Sequence, residues 1–203
     1  MKIIIPIAST DQDMLANYST IKPLVPLGGK TMIEVFVKNL NLNYEYIFLC
    51  KQQDLIETKL LSVIQNLNVK KKIVAIQKDT SSALETVFFA KKHVNIGDSV
   101  LICHPDNINL FFSKKNLIKT LNKPNSDGIL FTLDGDSQTN TSETHTGRVI
   151  IKYDQVREII EKAVKTKNSK RLAGIYHFSK WSDFLKYSKK TFENQPPIRG
   201  KYF

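Results

Sequence analysis

The residues whose types and spacing could do chemistry are concentrated in Lys22-Pro23-Leu24-Val25-Pro26-Leu27-Gly28-Gly29-Lys30-Thr31-Met32-Ile33-Glu34. Prolines and paired glycines make this a rigid loop, and a helix opens directly from it. Lys22 projects from the loop. In an open α/β sheet a loop of this kind lies at the carboxyl ends of the strands, where the ligand crevice forms. The plainer reading, a loop with incidental lysines, is not excluded by the motif alone. Cys50 and Cys103 each end an apolar run, which marks them as buried structural thiols. His93, His104, His145 and His177 are too scattered to form a ligand set, although His104 is placed to touch a site.

Charge narrows the ligand class. Thirty lysines and arginines against nineteen acids leave a net charge of +11. Such a surplus favours polyanionic partners: nucleic acid, an anionic membrane or phosphorylated small molecules. A general enrichment in lysine is the competing explanation. No aromatic-basic interleaving or recognition motif supports nucleic acid, and Lys70-Lys71-Lys72 and Lys189-Lys190 read as solvated faces. No apolar run nears the ~20 residues that span a bilayer. Met1 to Ile7 starts like a signal peptide, but its apolar stretch is broken by Pro6 and polar residues follow at once, so a cytoplasmic address is expected.

The elements that must position these residues follow from periodicity. The 203 residues, 41% hydrophobic and 24% charged, suit a single globular domain. In the first half, strand signals at 2–8, 44–50, 72–76 and 100–103 alternate with helix signals at 31–42, 55–67 and 82–93. The helix at 55–67 is expected to bury Leu55, Leu60, Leu61, Ile64 and Leu67 along one side. This alternation predicts βαβ units and a parallel sheet with right-handed crossovers. The second half is strand-dense, at 129–133, 148–153, 156–161 and 173–178, with a polar loop over 134–147 and a last helix over 181–192. An antiparallel component is therefore expected after residue 125. Pro196-Pro197 and an abrupt end on Lys201-Tyr202-Phe203 suggest that further C-terminal elements are missing.

With the elements in place, the motifs form an ordered series. The Lys22 segment resembles the lysine-containing segment of the sugar-nucleotide pyrophosphorylases, in the nucleotidyltransferase superfamily. Gln77 with Thr80-Ser81-Ser82-Ala83-Leu84 is similar to that family's base-reading glutamine and helix start. His104-Pro105-Asp106-Asn107 resembles its metal site, Glu161-Lys162 its Glu-Lys-Pro, and Ala173-Gly174-Ile175-Tyr176-His177-Phe178 its Gly-Ile-Tyr strand. The order agrees over nearly the whole chain, and the nearest branch is that of short proteins from capsule or surface-glycan clusters.

The resemblance implies an α/β, three-layer Rossmann-like fold with a mixed, mainly parallel central sheet. It also implies transfer of a nucleoside monophosphate from a triphosphate to a sugar 1-phosphate, with release of pyrophosphate. Lys22 and Asp106 are then the catalytic pair, Asp106 holding Mg²⁺ against the α-phosphate and Lys22 neutralising developing charge. Ala8, Ser9, Gln77, Ser82 and Ala83 bind the nucleotide, with Gln77 offering paired donor and acceptor groups to a base edge. A backbone amide near Ala83, at the helix start, is expected to bind an acceptor atom of the base. Gly147, Glu161, Lys162 and Gly174 bind the sugar phosphate. The partners implied are a nucleoside triphosphate and a sugar phosphate, with no nucleic acid and no membrane insertion. The oligomeric state stays open, a homo-oligomer included.

Several positions depart from the family pattern. Its glycine-rich loop after the first strand is replaced by Ala8-Ser9-Thr10-Asp11-Gln12-Asp13-Met14, which brings two carboxylates and no glycine. Ile21 stands where proline is usual, Ser82 replaces a glycine, Ala163 replaces a proline, and no second metal-binding acid is evident after the Gly-Ile-Tyr strand. These departures keep two alternatives open. One is a nucleotide-sugar-binding or regulatory protein without turnover. The other is a glycosyltransferase of related fold, with Asp134-Gly135-Asp136 as an Asp-x-Asp metal motif, although ordinary turn chemistry explains that tripeptide more simply.

Overall fold

A computed structural model describes residues 1–8, 18–106, 113–122, 126–133, 147–160 and 169–194. Its centre is an eight-stranded sheet. Strand β1 (Lys2–Ile7) lies inside it, and Ile3, Ile4 and Ile5 are fully buried. Isoleucines facing both ways suit a strand covered on both faces. β4 (Glu45–Lys51) pairs parallel with β1, β5 (Lys71–Ile76) with β4, and β6 (Val100–Cys103) with the other edge of β1.

After β6 the pairing becomes antiparallel. The long strand β10 (Ser169–Phe178) pairs through Ile175 to Phe178 with β6, and through Ser169 to Arg171 with β8 (Arg148–Lys152). Its opposite edge carries β7 (Gly128–Leu133), and β9 (Gln155–Ile160) closes a hairpin on β8. Six of the eight strands therefore point the same way as β1, and β9 and β10 run against them. The change of character expected near residue 125 is observed.

Helices cover both faces. On one, α1 (Met32–Leu40), α3 (Leu60–Asn66) and α5 (Lys114–Leu121) bury Ile33, Phe36, Leu60, Ile64 and Leu117 against Ile3, Ile5, Tyr46 and Phe48. On the other, α4 (Ala83–Phe88) and α6 (Trp181–Asn194) bury Val87, Trp181 and Phe184 against Ile4, Ile47 and Leu49. Trp181 stacks on Phe184 with ring centroids 4.7 Å apart. Burying an apolar side chain of Phe184's size contributes roughly 1.5–3 kcal/mol, so these two rings anchor α6 on the sheet. Tyr46 is fully buried, and its hydroxyl accepts from Leu42 N at 3.1 Å. Burial outweighs that bond and pushes the phenol up to about 12.

Two local expectations are corrected, and one helix has no counterpart in the sequence reading. The segment 55–67 is not one helix: α2 (Gln52–Glu57) ends at Thr58, and α3 begins at Leu60. Thr58 is extended; its hydroxyl donates to Asp54 O at 2.6 Å and accepts from Leu60 N at 3.1 Å. A short polar side chain that satisfies helix-end groups competes with helix continuation. The five-residue gap between Leu55 and Leu60 also breaks the helical repeat, and Leu61 is exposed rather than buried. The 82–93 helix gives way to a 3₁₀ turn at Phe89–His93. Finally, α5 had no sequence expectation, because four of its first six residues are polar or charged and it buries only Leu117.

Candidate functional site

Lys22 opens a 3₁₀ turn, Lys22–Leu24, in which Leu24 N donates to Ile21 O at 2.9 Å and Val25 N to Lys22 O at 3.2 Å. Buried Pro23 fixes the turn against the fold. The chain then forms a two-residue hairpin, β2 (Pro26–Leu27) with β3 (Lys30–Thr31), through Gly28 and Gly29 at φ +56° and +80°. Positive φ at both central residues is the geometry that matches hairpin twist, and glycine adopts it without strain. Thr31 N and Oγ1 then donate to Glu34 Oε2 at 2.7 and 2.6 Å, which caps α1 and holds its carboxyl below the usual range. The glycines and the cap thus fix a path from Lys22 into a buried helix.

Asp106 reaches the same place from β6. Cys103 pairs with Ile175 of β10, and His104 N donates to Gly174 O at 2.9 Å before Pro105 turns the chain. Gly174 has φ +66° and sits where the β7–β10 register shifts between Leu172 and Tyr176. A side-chain-bearing residue there would be strained. Lys22 Nζ lies 2.8 Å from Asp106 Oδ2, with the two side chains 30% and 35% exposed. The His104 ring packs edge-on against Tyr176, centroids 5.9 Å apart. Burial holds the His104 imidazole below its usual pKa; Asp106 opposes that shift and Lys22 adds to it.

The structure thus brings together Lys22, Asp106 and Gly174 at the carboxyl end of β6. Gly147 lies along the same stretch of β10: its carbonyl accepts from Leu172 N at 2.9 Å. Ala8 is buried at the end of β1. Gln77, exposed, directly follows β5. Ser82 is the N-cap of α4, its hydroxyl accepting from Glu85 N at 3.2 Å, and Ala83 is the first residue of that helix. β5 and β6 stand three strand spacings apart, roughly 14 Å. Gln77 and Asp106 therefore follow strands that are separated by β4 and β1. Ser9, Glu161, Lys162 and the Asp134-Gly135-Asp136 tripeptide lie outside the described residues.

Among the described residues no three His, Cys, Asp or Glu side chains gather as a metal cluster; Asp106 is the carboxylate that the structure places beside Lys22. That suits Mg²⁺, which keeps several waters and takes one or two carboxylates together with substrate phosphates. Cys50 and Cys103 are buried, and burial pushes both thiols up, which leaves them inert as expected. No described helix is long and apolar enough to cross a membrane. Sequence reasoning missed the side chains that brace the turn after β5, namely Lys51, Asp79, Glu85 and Thr86. The Ser82-x-x-Glu85 spacing was the available signal.

No family model and no curated protein matches this sequence. Solved structures do match. A nucleoside-diphosphate-sugar pyrophosphorylase from Vibrio cholerae RC9 superposes with TM-score 0.66 at 19% identity, over 96% of this chain and 79% of that one. A protein from Bacillus anthracis, described as a glucose-1-phosphate thymidylyltransferase and solved with sucrose, gives TM-score 0.66 at 19% identity over 98% and 77%. A UDP-glucose pyrophosphorylase complexed with UDP-glucose gives 0.69 at 13% over 94% and 79%. With its mainly parallel mixed sheet between two helical layers, this chain has the nucleotidyltransferase fold of the sugar-nucleotide pyrophosphorylases.

Proposed function

We propose that the protein is a nucleotidyltransferase of the pyrophosphorylase type, acting on a nucleoside triphosphate and a sugar 1-phosphate. The observation that carries this reading is the Lys22–Asp106 pair at the carboxyl end of β6, in a fold whose solved neighbours are pyrophosphorylases. In the reaction, an oxygen of the sugar phosphate attacks the α-phosphorus, the bond to the β-phosphate oxygen breaks, and pyrophosphate leaves with that electron pair. Both substrates are polyanions, so the protein's task is positioning and charge stabilisation. Lys22, fixed by its proline-braced turn, offsets charge on the phosphates. Asp106 would hold Mg²⁺, which when bound supplies Lewis-acid stabilisation of a phosphoryl oxygen.

The remaining assignments follow the sheet edge. Gln77, Ser82 and Ala83 receive the base, with Ala8 and Ser9 beside the nucleotide. The hydroxyl of Ser82 is already committed to Glu85 N, so its contribution to the base is through backbone. Gly147, Glu161, Lys162 and Gly174 serve the sugar phosphate. Synthesis of a surface-polysaccharide precursor is the pathway-level form of this reading. Pyrophosphate release from each common triphosphate, with a panel of sugar 1-phosphates and Mg²⁺, tests it. One productive pair is expected, and no release from any combination would overturn the assignment.

A second reading, nucleotide-sugar binding without turnover, is favoured by the run Ala8 to Met14, which has no glycine and carries the carboxylates of Asp11 and Asp13. It predicts calorimetric binding of a nucleotide sugar in a protein that releases no pyrophosphate.

A further inference from the structure

The turn between β5 and α4 is anchored at every residue except its first. Lys78 Nζ donates to Glu85 Oε1 at 2.9 Å and lies 5.6 Å from the centroid of the Phe89 ring. Asp79 Oδ1 is 2.5 Å from Lys51 Nζ at the end of β4. Thr80 Oγ1 and Thr86 Oγ1 are 2.6 Å apart; Thr86 spends its proton on Ser82 O at 3.0 Å, so Thr80 is the donor between them. Ser81 N and Oγ both donate to Glu85 Oε2, at 2.8 and 2.9 Å. Ser82 Oγ accepts from Glu85 N. Gln77 alone is exposed with a side chain bonded to no other described residue.

Three of these five anchored residues converge on Glu85. One carboxylate oxygen holds Lys78, the other holds Ser81 twice, and the amide of the same residue is held by Ser82. The arrangement is a capping box displaced by one residue, since the glutamate reaches the residue before the N-cap instead of the N-cap itself. A cap needs only one such contact to start a helix. The extra anchors at 78, 79 and 80 fix the turn ahead of it, and that turn carries Gln77.

Gln77 presents one amide donor group and one carbonyl acceptor. An amide free to rotate can satisfy either polarity of base edge and selects nothing. A fixed backbone places the Cα of Gln77 and so limits where its amide can meet a base, and a displacement near 1 Å costs on the order of 10²-fold. We propose that Glu85 is a positioning residue that, by holding Lys78, Ser81 and Ser82, keeps the backbone after Gln77 in place so that Gln77 discriminates among nucleobases. This rests on the nucleotidyltransferase reading, which puts Gln77 at the base. Glu85 itself touches neither base nor phosphate in this scheme.

The test compares wild type, Glu85→Ala, Glu85→Gln and Gln77→Ala. Dissociation constants for a panel of Mg²⁺-triphosphates are measured by calorimetry, with amide hydrogen exchange over residues 77–82. In Glu85→Ala the preferred triphosphate is expected to weaken on the order of tenfold while the others change little, so that the preference collapses. The turnover rate at saturation should hold, and faster exchange should be confined to the turn. Glu85→Gln, which still accepts from Ser81, is expected to recover most of the preference, and Gln77→Ala to lose it with the turn still protected. Equal weakening of every triphosphate would mean a merely structural glutamate and overturn the proposal. An unchanged preference in Glu85→Ala, with wild type binding normally, would overturn the positioning role alone. A wild type that binds no triphosphate would overturn the functional reading, and the proposal with it.

Discussion

Replacing Lys22 by methionine separates a catalytic cation from a structural one, because the two roles predict different magnitudes. At 2.8 Å from Asp106, the bare Coulomb attraction is roughly 1.5 kcal/mol at the dielectric of water and about 6 kcal/mol at an effective value of 20. The side chains are 30% and 35% exposed, so water screens the pair, and ordering two side chains offsets part of the gain. Pairs of this kind contribute about 0–1 kcal/mol to stability. A loss of that size lowers the melting temperature of a domain near 200 residues by at most about 2–4 °C. The effect on rate should be far larger. Removing one preorganised group aimed at developing charge costs about 10²–10³-fold, or ~2.7–4 kcal/mol. The assay is thermal unfolding beside pyrophosphate release with the preferred substrates. Near-native stability with a rate reduced at least a hundredfold is expected. Wild-type turnover in Lys22→Met would refute the reasoning. So would a loss of several kcal/mol in stability that accounts for the rate, since Lys22 would then be a structural residue.

Two further predictions test the surroundings of the site. Gly174→Ala forces a Cβ into the left-handed region at φ +66°, at a cost of about 1–2 kcal/mol. It should also loosen the His104–Gly174 bond, so denaturant titration should show a lower midpoint at unchanged slope. His177 is buried, its Nδ1 has no partner among the described residues, and burial followed by the amino-terminal ammonium holds its pKa below the ordinary 6.5. The unfolded chain therefore takes up the proton first. The stability contributed by keeping this imidazole neutral is full above pH 6.5 and is lost as pH falls from there through the folded-state value. His177→Leu should flatten the decline of the melting temperature over that window, and an unchanged slope would show that His177 does not titrate on unfolding.

The parallel half of the fold was legible because its strands are short β-branched runs between amphipathic segments, a pattern that few other arrangements satisfy. The run Lys2 to Ala8 reads as a short strand, and the structure buries Ile3, Ile4 and Ile5 on its two faces. What escaped was decided by single polar groups. Thr58 breaks a helix that the leucines alone would extend, and α5 carries too little apolar surface to stand out among its lysines. At the site, Lys22 and Asp106 could be paired only through resemblance. Their contact depends on β6 lying beside β1, and neighbouring residues do not encode that adjacency. The brace around Glu85 is local and could have been read from Ser82-x-x-Glu85. Its partners Lys51 and Asp79, however, meet only through the β4–β5 pairing.

The same comparison shows which departures from the family pattern carry weight. Ser82 stands where the resemblance leads one to expect glycine, yet its φ of −157° is ordinary extended backbone that any residue adopts. Its hydroxyl also takes an amide that glycine would leave to solvent or ligand. That substitution needs no backbone compromise and stiffens the turn before α4. Gly174, by contrast, has the positive φ that glycine alone tolerates easily, and it is glycine here. Where the fold requires glycine for backbone reasons the residue is present, and where serine can serve, serine adds a contact. The glycine-free run from Ala8 to Met14 is therefore the departure that the proposed activity has to accommodate. Its cost would fall on phosphate binding, through lost amide approach and the added charges of Asp11 and Asp13. Lys22, the cation that the proposed reading puts on the phosphates, lies 2.8 Å from Asp106 in this structure. On the proposed reading, Lys22 would have to leave Asp106 to reach the triphosphate, and the Lys22→Met protein tests whether that cation is needed there.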